Sequence, residues 1–240
     1  MNRSDGRLSD QLRNIQFDTN FSKYAEGSVL AKFGETHVLC NVTLDDSLPN
    51  WLRRRPDPHG WLTAEYALLP RSTQRRVQRE QRWPKGRTQE ISRLIGRSLR
   101  MAVDLKALGP RQLIVDCDVL QADGGTRTAA VSGAWIAVNI ALRSLIDEGD
   151  LTEAALPRQV AAISVGIVKG RPMLDLAYDE DVAADVDLNV VMSAHGDIIE
   201  IQGTAEKAPF PQTQLTELVD LAATVIEQIV QYQQQVLGLK

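Results

Sequence analysis

Apolar and β-branched residues occur in short runs along the first 70 residues of the chain, and such runs predict β-strands. Three of these runs cover residues 14–21, 28–33 and 36–44, and a Gly-Glu pair between the last two predicts a hairpin turn. A fourth apolar run at 60–69 follows a segment with three prolines, which predicts a loop. The chain therefore begins with strands that can pair as a sheet.

The middle of the chain changes to the periodicity of α-helices. A helix is predicted from about Thr88 until Gly109-Pro110 stops it, and after a strand at 112–120 a second helix is predicted over 126–147. The first helix has one apolar stripe, formed by Ile91, Leu94, Ile95, Leu99, Ala102 and Leu105. The second is apolar almost all round, which is typical of a helix buried in the centre of a protein.

The second half repeats the order of the first, with strands followed by a helix. Strands are predicted at 159–168, 172–178, 187–194 and 197–202, and an amphipathic helix at 213–236. This order predicts an α+β protein and suggests a duplicated unit. We find no composition change that would mark a linker between independent domains.

Composition places the chain among ordinary globular proteins. Of its 240 residues, 43% are hydrophobic and 24% are charged. No apolar run approaches the ~20 residues needed to cross a membrane, and the polar N-terminus lacks the apolar stretch of a secretory signal, so we expect a cytoplasmic protein without a membrane partner. The two cysteines, Cys40 and Cys117, are too few for a zinc site, and we expect core thiols rather than a disulfide.

The net charge of −4 conceals a separation of charge along the chain. Residues 51–100 contain 12 arginines and one lysine against four acids, a local net charge of +9, so the other 190 residues carry −13. Residues 172–194 contain six acids and neither lysine nor arginine. An arginine-rich segment indicates a polyanionic ligand, and clustered carboxylates indicate a metal ion.

A pair of glycines joins the strand at 112–120 to the long apolar helix, in the sequence QADGGTRTAA. Adjacent glycines permit unusual backbone conformations, and the helix N-terminus offers unpaired N–H groups and partial positive charge. Gly125, Thr126 and Arg127 could therefore form an anion-binding site, although a simple turn that needs glycine explains the pair equally well. Arg87 precedes the other helix, so two arginines at two helix N-termini could hold one phosphate from two sides.

Two carboxylates in the acidic segment, Asp181 and Asp187, flank a short connection before an apolar strand. Carboxylate oxygens suit Mg²⁺ or Mn²⁺, which usually binds through one or two acids and a substrate phosphate. The alternative is an acidic surface loop. The chain contains neither a GxxxxGK[ST] nor a GxGxxG motif, and its three histidines form no evident hydrolase triad or metal site.

Long ordered motifs then resemble the ribonuclease PH family, phosphate-dependent 3′ exoribonucleases related to polynucleotide phosphorylase and to the exosome ring subunits. The matching stretches are DGR (5–7), AEGSVLAKFGETHVLC (25–40), GWLTAEYALLPRST (60–73), GRTQEISRLIGRSLR (86–100), DCDVLQADGGTRTAAVSGA (116–134), EDVAADVDLNVVM (180–192) and EIQGTAEKAPF (200–210). Trp83-Pro84 and the segment 53–60 depart from the family pattern.

The resemblance implies a site and a fold. Arg87, Gly125, Thr126 and Arg127 would bind inorganic phosphate, and Asp181 and Asp187 would be the catalytic aspartates that hold Mg²⁺ or Mn²⁺. The implied fold is one domain over residues 1–240, built from two βαβα-like units with a shared core, with a basic loop at about 71–87. The implied assembly is a homo-hexameric ring made as a trimer of dimers.

The resemblance also implies an activity: removal of 3′-terminal nucleotides from RNA, such as tRNA precursors, as nucleoside 5′-diphosphates, reversible as nucleotide addition. The alternative is a catalytically inactive RNA-binding ring subunit. A generic basic RNA-binding protein would not need the acidic cluster. The arginines of the basic segment either contact RNA phosphates or pair with acids of a neighbouring subunit; they are Arg71, Arg75, Arg76, Arg79 and Arg82.

Overall fold

The first half of the chain forms a five-stranded sheet. In this computed structural model, which describes residues 3–80 and 85–239, the strands are β1 (Ile15–Thr19), β2 (Gly27–Phe33), β3 (Thr36–Asp45), β4 (Trp61–Leu68) and β5 (Gln112–Gln121). Their order is β1-β2-β3-β5-β4, and only the β4–β5 pair is parallel. Alternate residues of β3, such as Val38, Cys40 and Val42, are fully buried on one face.

Two helices lie within this half. A short helix, α1 (Asn50–Arg53), occupies the proline-containing loop, where no helix was expected. The longer α2 (Gly86–Ala102) makes the crossover between the parallel strands β4 and β5 and packs on β4. The expected stripe residues up to Ala102 are buried in α2.

The prediction that Leu105 belongs to this helix is wrong. The last helical bond runs from the N–H of Val103 to the carbonyl of Leu99, and Val103 itself is extended. The carboxylate of Asp104 then accepts the N–H groups of Lys106 and Ala107, which favours a local turn over another helical turn. The helix therefore ends well before Gly109.

The second half forms a four-stranded antiparallel sheet. Its strands are β6 (Val160–Val168), β7 (Arg171–Leu174), β8 (Val186–Ser193) and β9 (Ile198–Ala205), in the order β7-β6-β8-β9. Because β7 and β8 both run antiparallel to β6, they are parallel to each other, and a short helix, α4 (Tyr178–Ala183), connects them. The expected strand to residue 178 is wrong, since Asp175 has a positive φ of 52° and the chain turns into α4.

The remaining two helices pack on the sheets. Helix α3 (Thr126–Asp147) contacts β2 and β3 of the first sheet and β6 of the second, and α5 (Gln212–Leu237) packs on β6. One continuous buried cluster of side chains extends over both sheets, with Trp135 of α3 among its largest members. The α+β class predicted from the sequence is confirmed, and α3 is the central helix that its composition indicates.

The expectation that no segment is apolar enough to cross a membrane is wrong for α3. By length and composition this helix meets the requirement, with a mean hydropathy of 1.5 over its most apolar window. Of that window, 78% is buried inside the structure, as in the core helix of a globular protein. The two cysteines are free and buried as expected, with Cys40 Sγ and Cys117 Sγ 3.9 Å apart.

Candidate active site

The glycine pair forms a tight turn between β5 and α3. Gly124 and Gly125 have φ values of +77° and +64°, in the left-handed region that favours glycine. A Cβ on Gly124 would lie 2.3 Å from the carbonyl oxygen of Leu176, so the turn passes close to the segment before α4. Among the described residues, no side chain caps α3, and its first N–H groups therefore remain available to an anion.

A buried ion pair that sequence reasoning missed holds this turn. The Arg13 guanidinium donates to the carbonyl of Asp123 (Nη1, 2.5 Å) and to the carboxylate of Asp175 (Nη2 2.6 Å, Nε 3.1 Å). Asp175 is fully buried and also accepts the backbone N–H of Arg13 (2.8 Å). From the other side, the Thr36 hydroxyl donates to the carbonyl of Gly124 (2.6 Å). Asp175 was counted only as one of the six acids of residues 172–194, although it lies within an apolar run.

A second buried ion pair fixes α4. Arg3 donates two hydrogen bonds to the Glu180 carboxylate, from Nε (2.7 Å) and Nη2 (2.6 Å), and one to the carbonyl of Leu174 (2.8 Å). Glu180 also accepts the backbone N–H of Ala177 at the start of the helix (2.9 Å). The N-terminal segment therefore holds the helix that contains Asp181.

The two aspartates of the acidic segment share one environment. Asp181 lies on α4 and Asp187 is the second residue of β8. Burial raises the pKa of Asp187 to about 6, and the charge of Asp181 is the next cause. Burial also raises the pKa of Asp181, whereas the charges of Arg87 and Arg127 oppose the increase at both carboxyls. Two acids and two arginines are thus within electrostatic range of one another.

The two arginines occupy equivalent positions, each being the second residue of its helix: Arg87 in α2 and Arg127 in α3. Arg127 donates to Oε2 of Glu90 (3.0 Å), while its buried Nε has no partner within residues 3–80 and 85–239. Thr126 Oγ1 lies 2.8 Å from the hydroxyl of Tyr66. Burial raises the pKa of Tyr66, so this hydroxyl stays neutral and orients that of Thr126; sequence reasoning gave Tyr66 no role.

These groups meet in a cleft with two adjoining chambers of about 550 Å³ and 290 Å³. Both chambers are lined by Arg87, Arg127, Asp181, Asp187 and Asn189. The larger chamber is also lined by the glycine pair and Thr126. The structure therefore brings together every residue that the sequence suggested for phosphate and metal binding. Asn189, which the sequence analysis did not single out, lies two residues after Asp187 on the same face of β8.

Among the described arginines that were proposed for RNA binding, one lies at the cleft. Arg75 lines the larger chamber, beside Thr73 and Gln74. Its side chain is exposed, so the charge at this position is available to a ligand in the chamber. This placement agrees with a role for Arg75 toward a polyanion.

Three of the other four arginines do not line the chamber. Arg71 donates to the carbonyl of Gln74, and Arg76 and Arg79 are exposed without lining the chamber. Burial raises the pKa of Asp118 on β5, and the charge of Arg79 opposes this increase, which places Arg79 within electrostatic range of β5. Arg82 lies outside the described residues.

The donor set at Asp181 and Asp187 fits a hard divalent cation. Within the described part of the chain, no group of three or more His, Cys, Asp or Glu residues could hold a metal ion. Mg²⁺, however, is usually bound by one or two carboxylates together with substrate phosphates. The mutual repulsion that contributes to the raised pKa of Asp187 is what a bound cation would relieve.

Comparison with known proteins identifies the class of this fold and site. Two family models match the chain: the 3′ exoribonuclease family, domain 1, over residues 11–143 and domain 2 over residues 158–225. The chain belongs to the 3′ exoribonuclease, or RNase PH, family. It is 55% identical to ribonuclease PH of Synechococcus elongatus over 227 residues, which cover 95% of this chain and 94% of that protein.

One further relative and two solved structures are also similar to this chain. Ribonuclease PH of Bdellovibrio bacteriovorus is 51% identical over 236 residues, covering 98% of this chain and 96% of that protein. Rice Rrp46 superposes with a TM-score of 0.79 at 16% identity, over 98% of this chain and 100% of that one. The Archaeoglobus fulgidus exosome with RNA bound to the active site superposes with a TM-score of 0.80 at 24% identity, over 95% and 91%. The two structural matches show the shared fold.

The raised pKa of Asp187 predicts a gain in stability when its charge is removed. The ionised carboxylate of Asp187 destabilises the folded protein at pH values above its folded pKa of about 6. Below the ordinary pKa of 3.8 the carboxyl is protonated and has no such effect, so the wild-type protein loses stability as the pH rises from 3.8 to about 6. We expect Asp187→Asn to raise the free energy of unfolding at pH 7 by about 1–3 kcal/mol, since one pKa unit corresponds to about 1.4 kcal/mol and partial exposure lessens the effect.

Urea unfolding at pH 4 and pH 7 without divalent metal measures this difference. Asp185→Asn is the control, because a hydrogen bond from Lys207 lowers the pKa of Asp185, and its substitution should give the opposite sign at pH 7. An equal effect of Asp187→Asn at both pH values would contradict the proposed electrostatic cause.

Proposed function

We propose that this protein is a phosphate-dependent 3′→5′ exoribonuclease that releases the 3′-terminal nucleotides of RNA as nucleoside 5′-diphosphates. The observation that carries the proposal is the convergence of two helix N-termini, each with an arginine, on two carboxylates in one cleft. Membership of the 3′ exoribonuclease family and the identity to proteins named ribonuclease PH support it.

The residues of the cleft explain how inorganic phosphate acts as the nucleophile. The N–H groups of α3, the hydroxyl of Thr126 and the guanidinium of Arg127 hold phosphate on one side, and Arg87 holds it on the other. A phosphate oxygen attacks the phosphorus of the last phosphodiester, and the 3′ oxygen of the preceding nucleotide leaves and takes up a proton. One phosphodiester is exchanged for one diphosphate bond, and the reaction is therefore reversible.

Asp181 and Asp187 would hold Mg²⁺ or Mn²⁺. Such an ion, when bound, stabilises the charge that develops on the phosphoryl oxygens. The arginines provide the same kind of stabilisation from fixed positions, since both are anchored at helix starts. The protein mainly positions the two reactants and balances their charge.

The proposal extends to substrate, assembly and location. The substrate is a single-stranded RNA 3′ end such as that of a tRNA precursor, and the exposed Arg75 at the larger chamber supports a polyanionic ligand there. The assembly is a homo-hexameric ring, a trimer of dimers, in the cytoplasm. Light scattering tests the ring directly, with an expected mass of six times the 26.6 kDa of one chain.

The second candidate is a catalytically inactive RNA-binding ring subunit. The presence of Arg87, Arg127, Asp181 and Asp187 around one cleft favours the active enzyme. Product analysis separates the two candidates. The active enzyme releases nucleoside diphosphates only when phosphate is supplied and extends RNA when diphosphates are added, whereas an inactive subunit binds RNA and does neither.

Arg127→Ala should lose phosphate-dependent activity while the fold is kept. The substitution removes a charge-assisted guanidinium from the cleft and little core volume, so kcat/KM for phosphate should fall on the order of 100-fold or more. Steady-state kinetics at varied phosphate concentration measures this effect. Arg97→Ala is the matched control. Arg97 lies on α2 and, like Arg127, pairs with a glutamate (Glu200), but it does not line the cleft. An unchanged phosphate dependence in Arg127→Ala would refute the assignment.

Asp181→Asn should abolish turnover but keep RNA binding. The amide keeps the shape of the carboxylate but removes the charge that favours a divalent cation, so kcat should fall by orders of magnitude. RNA affinity should not weaken, since loss of an acid cannot reduce attraction to a polyanion. Asp179→Asn on the exposed side of α4 is the control and should be close to wild type. Near-normal turnover in Asp181→Asn would place catalysis elsewhere.

Arg75→Ala should weaken RNA binding at every salt concentration and reduce the salt dependence. One lost phosphate contact lowers the slope of log affinity against log salt by about 0.7 for a single strand. The double variant Arg76→Ala/Arg79→Ala tests the remaining basic segment. A lower slope would assign these residues to RNA, whereas dissociation of the oligomer with an unchanged slope would assign them to a subunit contact. For Arg75 itself, an unchanged slope would exclude an RNA phosphate contact.

A further inference from the structure

The two chambers of the cleft differ in the chemistry of their walls. Five residues line both chambers and are called the shared residues: Arg87, Arg127, Asp181, Asp187 and Asn189. The other described residues that line the smaller chamber are polar apart from one glycine: Glu90, Gln202, Gly203, Thr204 and Glu206. The lining of the larger chamber also includes apolar and aromatic residues, among them Leu68, Val77, Ala122 and Tyr178. A nucleobase has two apolar faces, whereas phosphate and a hydrated cation have none, so the larger chamber suits the nucleoside.

Tyr178 is the exposed aromatic residue in the lining of this chamber. The residue is the first of α4 and is 45% exposed, so part of its side chain is accessible to a ligand. Its backbone N–H donates to Oδ1 of Asp123 (3.3 Å), so the main chain at this position is fixed to the phosphate-binding turn. The other tyrosine of the chamber, Tyr66, is only 4% exposed, and its hydroxyl is engaged by Thr126.

Tyr178 lies on the same short helix as Asp181. Asp181 follows three residues later and therefore lies on the same face of the helix, about 4.5 Å further along the axis. Within the described residues, no other ring and no cation stacks on Tyr178. The open ring face thus borders the shared residues where the scissile phosphate would be bound.

We propose that Tyr178 stacks on the base of the 3′-terminal nucleotide and thereby places the last phosphodiester between Asp181 and the arginines. The proposal rests on the proposed function, because the base belongs to an RNA 3′ end. Aromatic stacking accepts every base, since each has an apolar π-face, and this suits an enzyme that removes successive nucleotides regardless of sequence. Tyr178 is thus a substrate-contacting residue in addition to those already named for phosphate and metal.

The test compares Tyr178→Phe, which keeps the ring, with Tyr178→Leu, which keeps apolar volume without a ring. Tyr178→Leu should raise the KM for a single-stranded RNA about tenfold, and by a similar factor for each 3′-terminal base, while the KM for phosphate changes less than about twofold. Tyr178→Phe should remain close to wild type. Tyr24→Leu is the matched control, because Tyr24 is 88% exposed and does not line the cleft.

A direct measurement uses RNA with 2-aminopurine as its 3′-terminal base and no phosphate, so that the RNA is bound but not consumed. Wild type and Tyr178→Phe should quench the fluorescence on binding, and Tyr178→Leu should not. Equal quenching and equal RNA KM in Tyr178→Leu would overturn the stacking proposal alone. If wild type releases no nucleoside diphosphate from RNA with phosphate, the proposed function itself fails, and the two failures are thus distinguishable.

Discussion

The buried pair of Arg13 and Asp175 is the interaction on which the geometry of the cleft depends. Asp175 is removed from water, and its carboxylate is balanced by the guanidinium that also holds the carbonyl of Asp123. Loss of one partner of such a pair typically costs 3–5 kcal/mol, because the remaining charge is left uncompensated in the interior. The glycine turn and the start of α3 are fixed through this pair, and with them the positions of Thr126 and Arg127.

The cleft lies where the two halves of the chain meet, and each half provides a different chemistry. The helices α2 and α3, which follow strands β4 and β5 of the first sheet, provide arginines at their N-termini, where a bound anion also gains from the helix dipole. The second half provides the carboxylates, from α4 and from β8. Because α3 packs against both sheets, the separation between positive and negative groups is set by the core. Neither half alone contains a complete site.

Much of the fold followed from local patterns, whereas the contacts around the site did not. Periodicity identified the long strands and helices, and the glycine pair marked the turn before α3, because both depend on neighbouring residues. The sequence did not predict α4, which is only six residues long, nor the end of α2, where Asp104 favours a local turn. Pairs such as Arg13–Asp175 and Tyr66–Thr126 join residues 162 and 60 positions apart, and no local pattern indicates them.

The large sequence separation within the ion pairs of Arg3 and Arg13 also affects the order in which the protein folds during synthesis. Arg3 and Arg13 are synthesised before their partners Glu180 and Asp175, which follow 177 and 162 residues later. Contacts of such large sequence separation form late, since the entropy of closing a long loop must be overcome first. The strands and helices of the first half can form earlier, but the glycine turn cannot be fixed by Asp175 until β6 and β7 of the second sheet have been synthesised. Partly synthesised chains therefore remain without the complete cleft.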